Sequence, residues 1–346
     1  MSQAINGLCG LGVFIFLSRR VSPLAGLAGM TVAGLFSFQP ALYFSWSRFT
    51  QGSSQAILLI AALAVWEAIR AWKGDWKENR NAAIALTGVS ALLIAGVFLL
   101  HFRAAAFLLP LIVIICIFEF GSAIKTKKHV MRTVLGIAVI AVVSIVLILP
   151  ALVPAMDFYV DRRSAPTETA ETKPTVDLKE NQYFANYDLQ ALYEIGAKKW
   201  MIGLTLLGIV VGLIRKNRTL ILLATAWILA LFGIGFLYRL NIPLLAFTNM
   251  TGMMIMLYLP IGVIVGVLAE DLWQIFSLEK HAKWASAVKW VVLFLAVIAA
   301  IYRLGEVQDF RQFMTAEDEK AMNWIENNTP RRSEERRVGK ECRSRW

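Results

Sequence analysis

The sequence predicts an all-α fold, a polytopic bundle of about ten transmembrane helices. Three observations predict it. The chain is 58% hydrophobic, with a mean hydropathy of +0.60. Charged residues make up only 17%, against about 25% in soluble domains. Those charges fall in short bursts between long apolar runs, and the bursts alternate between strongly basic and nearly neutral. A water-soluble fold would have to bury some ten apolar helices in one core, which a chain of this size cannot cover.

A helix needs about 20 apolar residues to cross a bilayer. Spans are expected at 3–17, 22–38, 53–72, 82–100, 104–120, 131–150, 200–214, 219–238, 243–269 and 285–302. Alternate connections carry Arg19 and Arg20; Lys73, Lys77 and Arg80; Lys125, Lys127, Lys128 and Arg132; Arg215, Lys216 and Arg218; and Lys280, Lys283 and Lys289. These are fifteen basic residues, whereas the intervening short connections carry only Arg48, Arg103 and Arg239. Lysine and arginine are retained on the cytoplasmic side. The alternation therefore predicts a multi-pass cell-membrane protein with both termini outside. The net charge of +11 follows from the same rule, and with no basic stripe on a soluble segment it points away from nucleic acid.

Residues 1–305 form the expected membrane domain. Within it, 151–199 reads as an outer loop. Its middle, Ser164 to Pro174, is rich in Ala, Pro, Thr and Glu, the composition of a mobile segment. Its end, Tyr187 to Trp200, reads as an amphipathic helix at the interface, with Leu189, Leu192, Tyr193 and Ile195 on one side. Residues 306–330 read as the start of an outer soluble domain. Thr315 can cap a helix beginning at Ala316, and the pattern stops before Pro330. From about Ser333 the composition changes, and residues 331–346 resemble translated adapter or vector sequence.

Several functional classes find no support. The three cysteines, Cys9, Cys116 and Cys342, and the three scattered histidines form no metal-binding spacing. No acid falls at the centre of an expected span, and no internal repeat is visible, which disfavours an ion-coupled transporter. Glu67 and Glu119 fall near span ends beside Arg70 and Lys125, as paired or snorkelling groups would.

Two features carry candidate chemistry. Arg48, Arg103 and Arg239 are the cations of the outer connections. Each can anchor to lipid headgroups within an aromatic belt, or together they can bind a phosphate through paired guanidinium hydrogen bonds. The span 243–269 contains Asn249, Gly252, Pro260 and four methionines. It reads either as a broken helix lining a lipid groove or as a kinked packing helix with a small-residue contact at Gly262 and Gly266.

Ser45-Trp-Ser-Arg-Phe-Thr-Gln51 resembles the Trp-Gly-Arg-Tyr-Thr-Gln stretch of bacterial GT-C type polytopic membrane glycosyltransferases, departing from it at Ser47 and Phe49. Trp324-Ile-Glu-Asn-Asn-Thr-Pro330 resembles the junction at which such enzymes, including oligosaccharyltransferase and mannosyltransferase relatives, leave the membrane for an outer domain. The resemblance implies a GT-C-like fold and glycosyl transfer from a polyprenyl-phosphate-linked sugar on the outer face. It also implies a carboxylate on the first outer loop as base or metal ligand, and so a divalent metal in the full-length enzyme. No such loop is recognisable here, so the expectation is a fragment lacking both its catalytic loop and its outer domain. No catalytic residue is assigned; Arg48, with Arg103 and Arg239, is the candidate for donor phosphate. A flippase for a lipid-linked glycan and a non-catalytic membrane assembly protein are the alternatives.

Overall fold

The computed structural model describes residues 2–37, 49–126, 129–164, 192–215, 217–237, 250–276, 294, 298 and 316–328. Among these residues every regular element is a helix. We number them α1 (Ser2–Arg20), α2 (Pro23–Thr31, continued by a π-helical turn, Val32–Phe36), α3 (Phe49–Lys73), α4 (Trp76–Leu100), α5 (Phe102–Thr126) and α6 (Val130–Ser164). A separate π-helical turn, Leu192–Gly196, precedes α7 (Lys199–Ile214), α8 (Arg218–Leu237), α9 (Met250–Met254), α10 (Tyr258–Phe276) and α11 (Ala316–Asn328).

Six helical stretches among the described residues are long and apolar enough to cross a membrane: those of α3, α4, α5, α6 and α8, and Gly252–Ile275, which is mostly α10 and takes in the end of α9. Two shorter apolar helices, Pro23–Phe36 and Lys199–Ile214, accompany them. The expected span 285–302 lies almost wholly outside the described residues.

Burial separates the bundle into centre and rim. The apolar window of α10 is 94% buried and that of α3 78%, whereas that of α6 is only 17% buried. The rim helices expose Leu92, Leu109, Ile117, Val146 and Leu206, large apolar side chains that water would not tolerate in such density. This is the make-up of a multi-pass membrane protein.

Helix ends follow local chemistry. Ser22 caps α2, its hydroxyl accepting from the Ala25 N–H at 3.1 Å, with Pro23 in the first turn. Asp75 caps α4 by accepting from the Lys77 N–H at 3.0 Å. Between α4 and α5 the chain turns at a single extended residue, His101.

The centre is held by small residues. Gly262 and Gly266 of α10 face Ala25, Gly29 and Ala33 of α2. A Cβ on Gly266 would stand 2.6 Å from the Ala25 carbonyl oxygen, and one on Gly262 would stand 3.0 Å from the Ala33 Cβ. Both helices thus present small residues every fourth position, which lets their backbones meet. Of the two readings of the span 243–269, this geometry supports the packing helix. Met253, Met254 and Met256 are buried in the core rather than lining a groove. The break between α9 and α10 falls at residues 255–257, three to five positions before Pro260, which has no N–H to donate and crowds the preceding turn.

Three boundaries differ from the sequence expectation. The helix expected to end at 150 continues through Pro150 and Pro154 to Ser164. Its 35 residues span about 50 Å, well beyond the apolar core of a bilayer. The first part of the expected outer loop is therefore helical. Tyr187 to Trp200 is not one amphipathic helix either: within the described part, the turn Leu192–Gly196 is followed by extended backbone at Lys198 before α7 starts. Gly196 packs there against Met254, which ties the segment to α9 instead of to an interface. Finally, α10 runs past 269 to Phe276, enclosing two acids.

Candidate functional site

The connections between α1 and α2, α3 and α4, α5 and α6, and α7 and α8 lie at one end of the bundle, with the C-terminus of α10. This is the basic end. The opposite end holds the start of α3, the α4–α5 turn, the end of α8 and the α9–α10 break.

At the opposite end a buried polar layer fixes the first turns of α3. Gln51, Ser54 and Gln55 are all at most 2% exposed. The Cys9 thiol of α1 donates to the Gly52 carbonyl at 3.2 Å. The Ser54 hydroxyl donates to the Val97 carbonyl of α4 at 2.8 Å. The Gln55 amide donates to the Met256 sulfur, and its carbonyl accepts from the Tyr258 hydroxyl at 2.8 Å. One helix end is thereby tied to three neighbours. Gly12 adds a close backbone approach one turn deeper, where a Cβ would meet the Ala56 carbonyl oxygen at 2.6 Å.

Of the three candidate arginines, Arg103 is described. It stands in the first turn of α5 with its guanidinium carbon 5.8 Å from the Phe102 ring centroid. Its Nε is buried and has no hydrogen-bond partner among the described residues. Arg48 and Arg239 lie outside the described residues. Their neighbours in sequence, Phe49 at the start of α3 and Leu237 at the end of α8, belong to helix ends on the same side of the bundle as Arg103.

The basic end carries the ionic groups, and they pair differently from the sequence expectation. Glu67 was expected beside Arg70 and Glu119 beside Lys125. Instead Glu67 accepts from Arg20 of α1 at 2.7 Å, and the Arg20 guanidinium also covers the Trp66 ring at 3.4 Å. Glu119 accepts from the Trp66 indole at 2.7 Å and from Lys73 at 3.0 Å. Partners from other helices are preferred because they come with buried stems and aromatic contacts, whereas a neighbour on the same helix keeps its head in water.

Two functional-looking residues escaped the sequence reading, Glu270 and Asp271. The Ser22 hydroxyl donates to Glu270, which also accepts from Gln274 at 2.8 Å. Asp271 is fully buried and accepts from the Asn217 amide at 3.1 Å. The signal available was the continuation of the apolar pattern through Leu272, Trp273, Ile275 and Phe276 beyond the two acids. A cleft of about 340 Å³ opens beside this network, lined by Arg19, Arg20, Arg70 and Glu119 among others.

Fold and polarity together define a helical multi-pass membrane protein with an ionic end and a neutral, polar-layered end. Compared with known proteins, the chain matches no family model, no curated protein and no solved structure.

Proposed function

We propose that the chain is the membrane domain of a GT-C type glycosyltransferase of about ten spans. Its donor is a polyprenyl-phosphate-linked sugar, bound on the outer face, with Arg48, Arg103 and Arg239 as the candidate ligands for its phosphate. The observation that carries this reading is the buried Nε of Arg103, which has no hydrogen-bond partner among the described residues. A buried donor left unsatisfied costs about 1–3 kcal/mol, which an anionic ligand would recover. The family-like stretch Ser45–Gln51 runs into the first turn of α3, which is held rigidly by Gly52, Ser54 and Gln55; a rigid element suits a binding residue beside it. A flippase is less well supported. Among the described residues the buried amide and charged side chains lie toward the two ends, apolar packing of Ala61, Ala62, Val65 and Ile264 lies between them, and the mid-helix hydroxyls of Ser90, Ser144 and Thr205 bond back to their own helices.

Donor titration tests the reading. The purified chain in maltoside detergent is titrated with a polyprenyl phosphate and, separately, with the corresponding polyprenol. The phosphate should bind more tightly. Arg103→Ala and Arg48→Ala should each weaken it on the order of 10- to 150-fold, the equivalent of one charge-assisted hydrogen bond. Arg48→Lys should recover only part, since it offers a point charge and no planar fork. Equal affinity for both lipids in all proteins would remove the donor site from this end.

A further inference from the structure

We propose that the cleft at the basic end is a second, separate anion site, one that takes a phosphate group through Arg19 and Arg70. It does not depend on the glycosyltransferase reading, which concerns the opposite end.

Some of the charge around the cleft is already paired and some is left over. Glu67 is taken by Arg20, while Glu119 accepts from both Lys73 and the Trp66 indole. Lys73 also donates to the Ser122 hydroxyl at 2.9 Å, so that hydroxyl presents its lone pairs away from an incoming anion. Arg19 and Arg70 both line the cleft, both are exposed, and neither lies within ion-pair distance of a carboxylate among the described residues. Arg70 also acts on Arg20 as a repelling like charge. Three guanidiniums thus converge where the local acids neutralise only one of them and Lys73. An anion between Arg19 and Arg70 would relieve that repulsion and accept from both planar forks.

A second feature of the same cleft points the same way. Asn217, Thr219 and Leu220 also line it; Thr219 and Leu220 are in the first turn of α8, a helix of 20 residues with no acid in that turn, and Asn217 immediately precedes it. The N–H groups of Leu220 and Ile221 bond back to the Asn217 carbonyl at 3.0 and 3.2 Å, which leaves the N–H groups of the two preceding residues as the open end of the helix. A helix N-terminus without acids favours an anion. Asn217 is held in place from below by Asp271. The cleft is large enough for a phosphate ester and a few waters, and Phe118 and Leu220 give it an apolar side toward the helices. The shared chemistry is a phosphate monoester or diester. Its source is either a lipid headgroup, entering sideways from the membrane, or a soluble phosphate compound, entering from water.

The test uses the whole chain in a maltoside detergent, which contains no phosphate. Binding of dioctanoyl phosphatidic acid, glycerol 3-phosphate and inorganic phosphate is measured by thermal shift and by native mass spectrometry. The double variant Arg19→Ala/Arg70→Ala should bind phosphate-bearing ligand at least tenfold more weakly than the unaltered chain. Its unfolding temperature without ligand should stay unchanged, because both side chains are exposed. Lys77→Ala/Arg80→Ala removes the same charge from the same end outside the cleft and should bind normally. Tighter binding of phosphatidic acid than of glycerol 3-phosphate assigns the lipid source, and the reverse order assigns the soluble one. Undiminished binding in Arg19→Ala/Arg70→Ala, equal losses in the two double variants, or no binding of any of the three compounds would overturn the proposal.

Discussion

The Tyr258 hydroxyl donates to the side-chain carbonyl of Gln55 at 2.8 Å, across 203 residues of sequence, with both groups buried. This contact joins the start of α3 to the start of α10, the two most deeply buried long helices. It sits where α9 and α10 break, so it holds the helix end that Pro260 has separated from the turn before it. Gln55 also reaches Met256 inside that break. The pair therefore acts as a clasp between the two central helices at the neutral end.

Tyr258→Phe should destabilise the protein by leaving the Gln55 carbonyl with one partner fewer. Inter-helix hydrogen bonds in membranes couple by about 0.6 kcal/mol on average and up to about 1.7 kcal/mol. The pair is buried, and a coupling toward the upper end of that range is expected. A double-mutant cycle with Gln55→Met, read by reversible unfolding in detergent, measures it. Strict additivity of the two single effects would show that the hydrogen bond contributes nothing.

The small-residue contact between α2 and α10 predicts an asymmetric response to added methyl groups. Gly266→Ala would place its Cβ 2.6 Å from the Ala25 carbonyl oxygen, and backbone cannot yield as a side chain can. Overpacking of this kind costs about 1–3 kcal/mol. Gly88→Ala in α4 meets nothing within 4 Å and should be neutral or stabilise by up to about 1 kcal/mol, through lower backbone entropy in the unfolded chain. Equal unfolding temperatures for the two variants would contradict the close crossing.

The two ion pairs at the basic end should differ in weight. Glu119 is 11% exposed at its side chain and accepts from both Lys73 and Trp66. Glu67 is 36% exposed at its side chain, and solvent screens its pair with Arg20. Glu119→Ala leaves a buried indole N–H without its acceptor and a half-buried ammonium with the Ser122 hydroxyl in place of a carboxylate, at a cost of about 2–4 kcal/mol. Glu67→Ala should cost at most about 1 kcal/mol. The ranking is checked by chemical unfolding at low and high salt, with only the Glu67 effect shrinking at high salt. A larger loss for Glu67→Ala would reverse the assignment.

Helix positions were legible because each apolar run is long and bounded by charge, as at Lys73 and Lys125. The cap at Ser22 and the helix beginning at Ala316 follow from side-chain chemistry within a few residues. The small-residue stripe at Gly262 and Gly266 was legible on its own helix, while its counterpart Ala25–Gly29–Ala33 was not read. What escaped reading depended on distant partners. Arg20 reaches Glu67 from another helix, so same-helix spacing pointed wrongly to Arg70. Glu270 and Asp271 looked like the polar end of a span, and only Ser22 and Asn217, far away in sequence, make their burial tolerable. The continuation of α6 through Pro150 and Pro154 contradicts the usual meaning of proline, since a membrane helix tolerates the lost hydrogen bonds where neighbours or water replace them. Of the candidate site, only Arg103 is among the described residues, in the first turn of α5, and Arg48 and Arg239 lie outside them.

The orientation of the bundle can be tested through its charge asymmetry. Fifteen basic residues in one set of connections against three in the short connections of the other set predict a cytoplasmic basic end. Thr126 is at that end, the last residue of α5, exposed, with a hydroxyl that among the described residues bonds back to its own helix at Ser122 and Ala123. Thr126→Cys should therefore be accessible without disturbing the fold. Thr169→Cys, in the long segment after α6, should lie on the other side. The background is freed of native thiols by Cys9→Ser, Cys116→Ala and Cys342→Ser; serine at position 9 keeps a donor for the Gly52 carbonyl, and Cys116 has only apolar packing to lose. A membrane-impermeant maleimide applied to intact cells should label position 169, and position 126 should label only after permeabilisation. Labelling of 126 alone in intact cells would invert the protein. Arg103 would then face the cytoplasm, and a donor site beside it would have to draw on the inner leaflet.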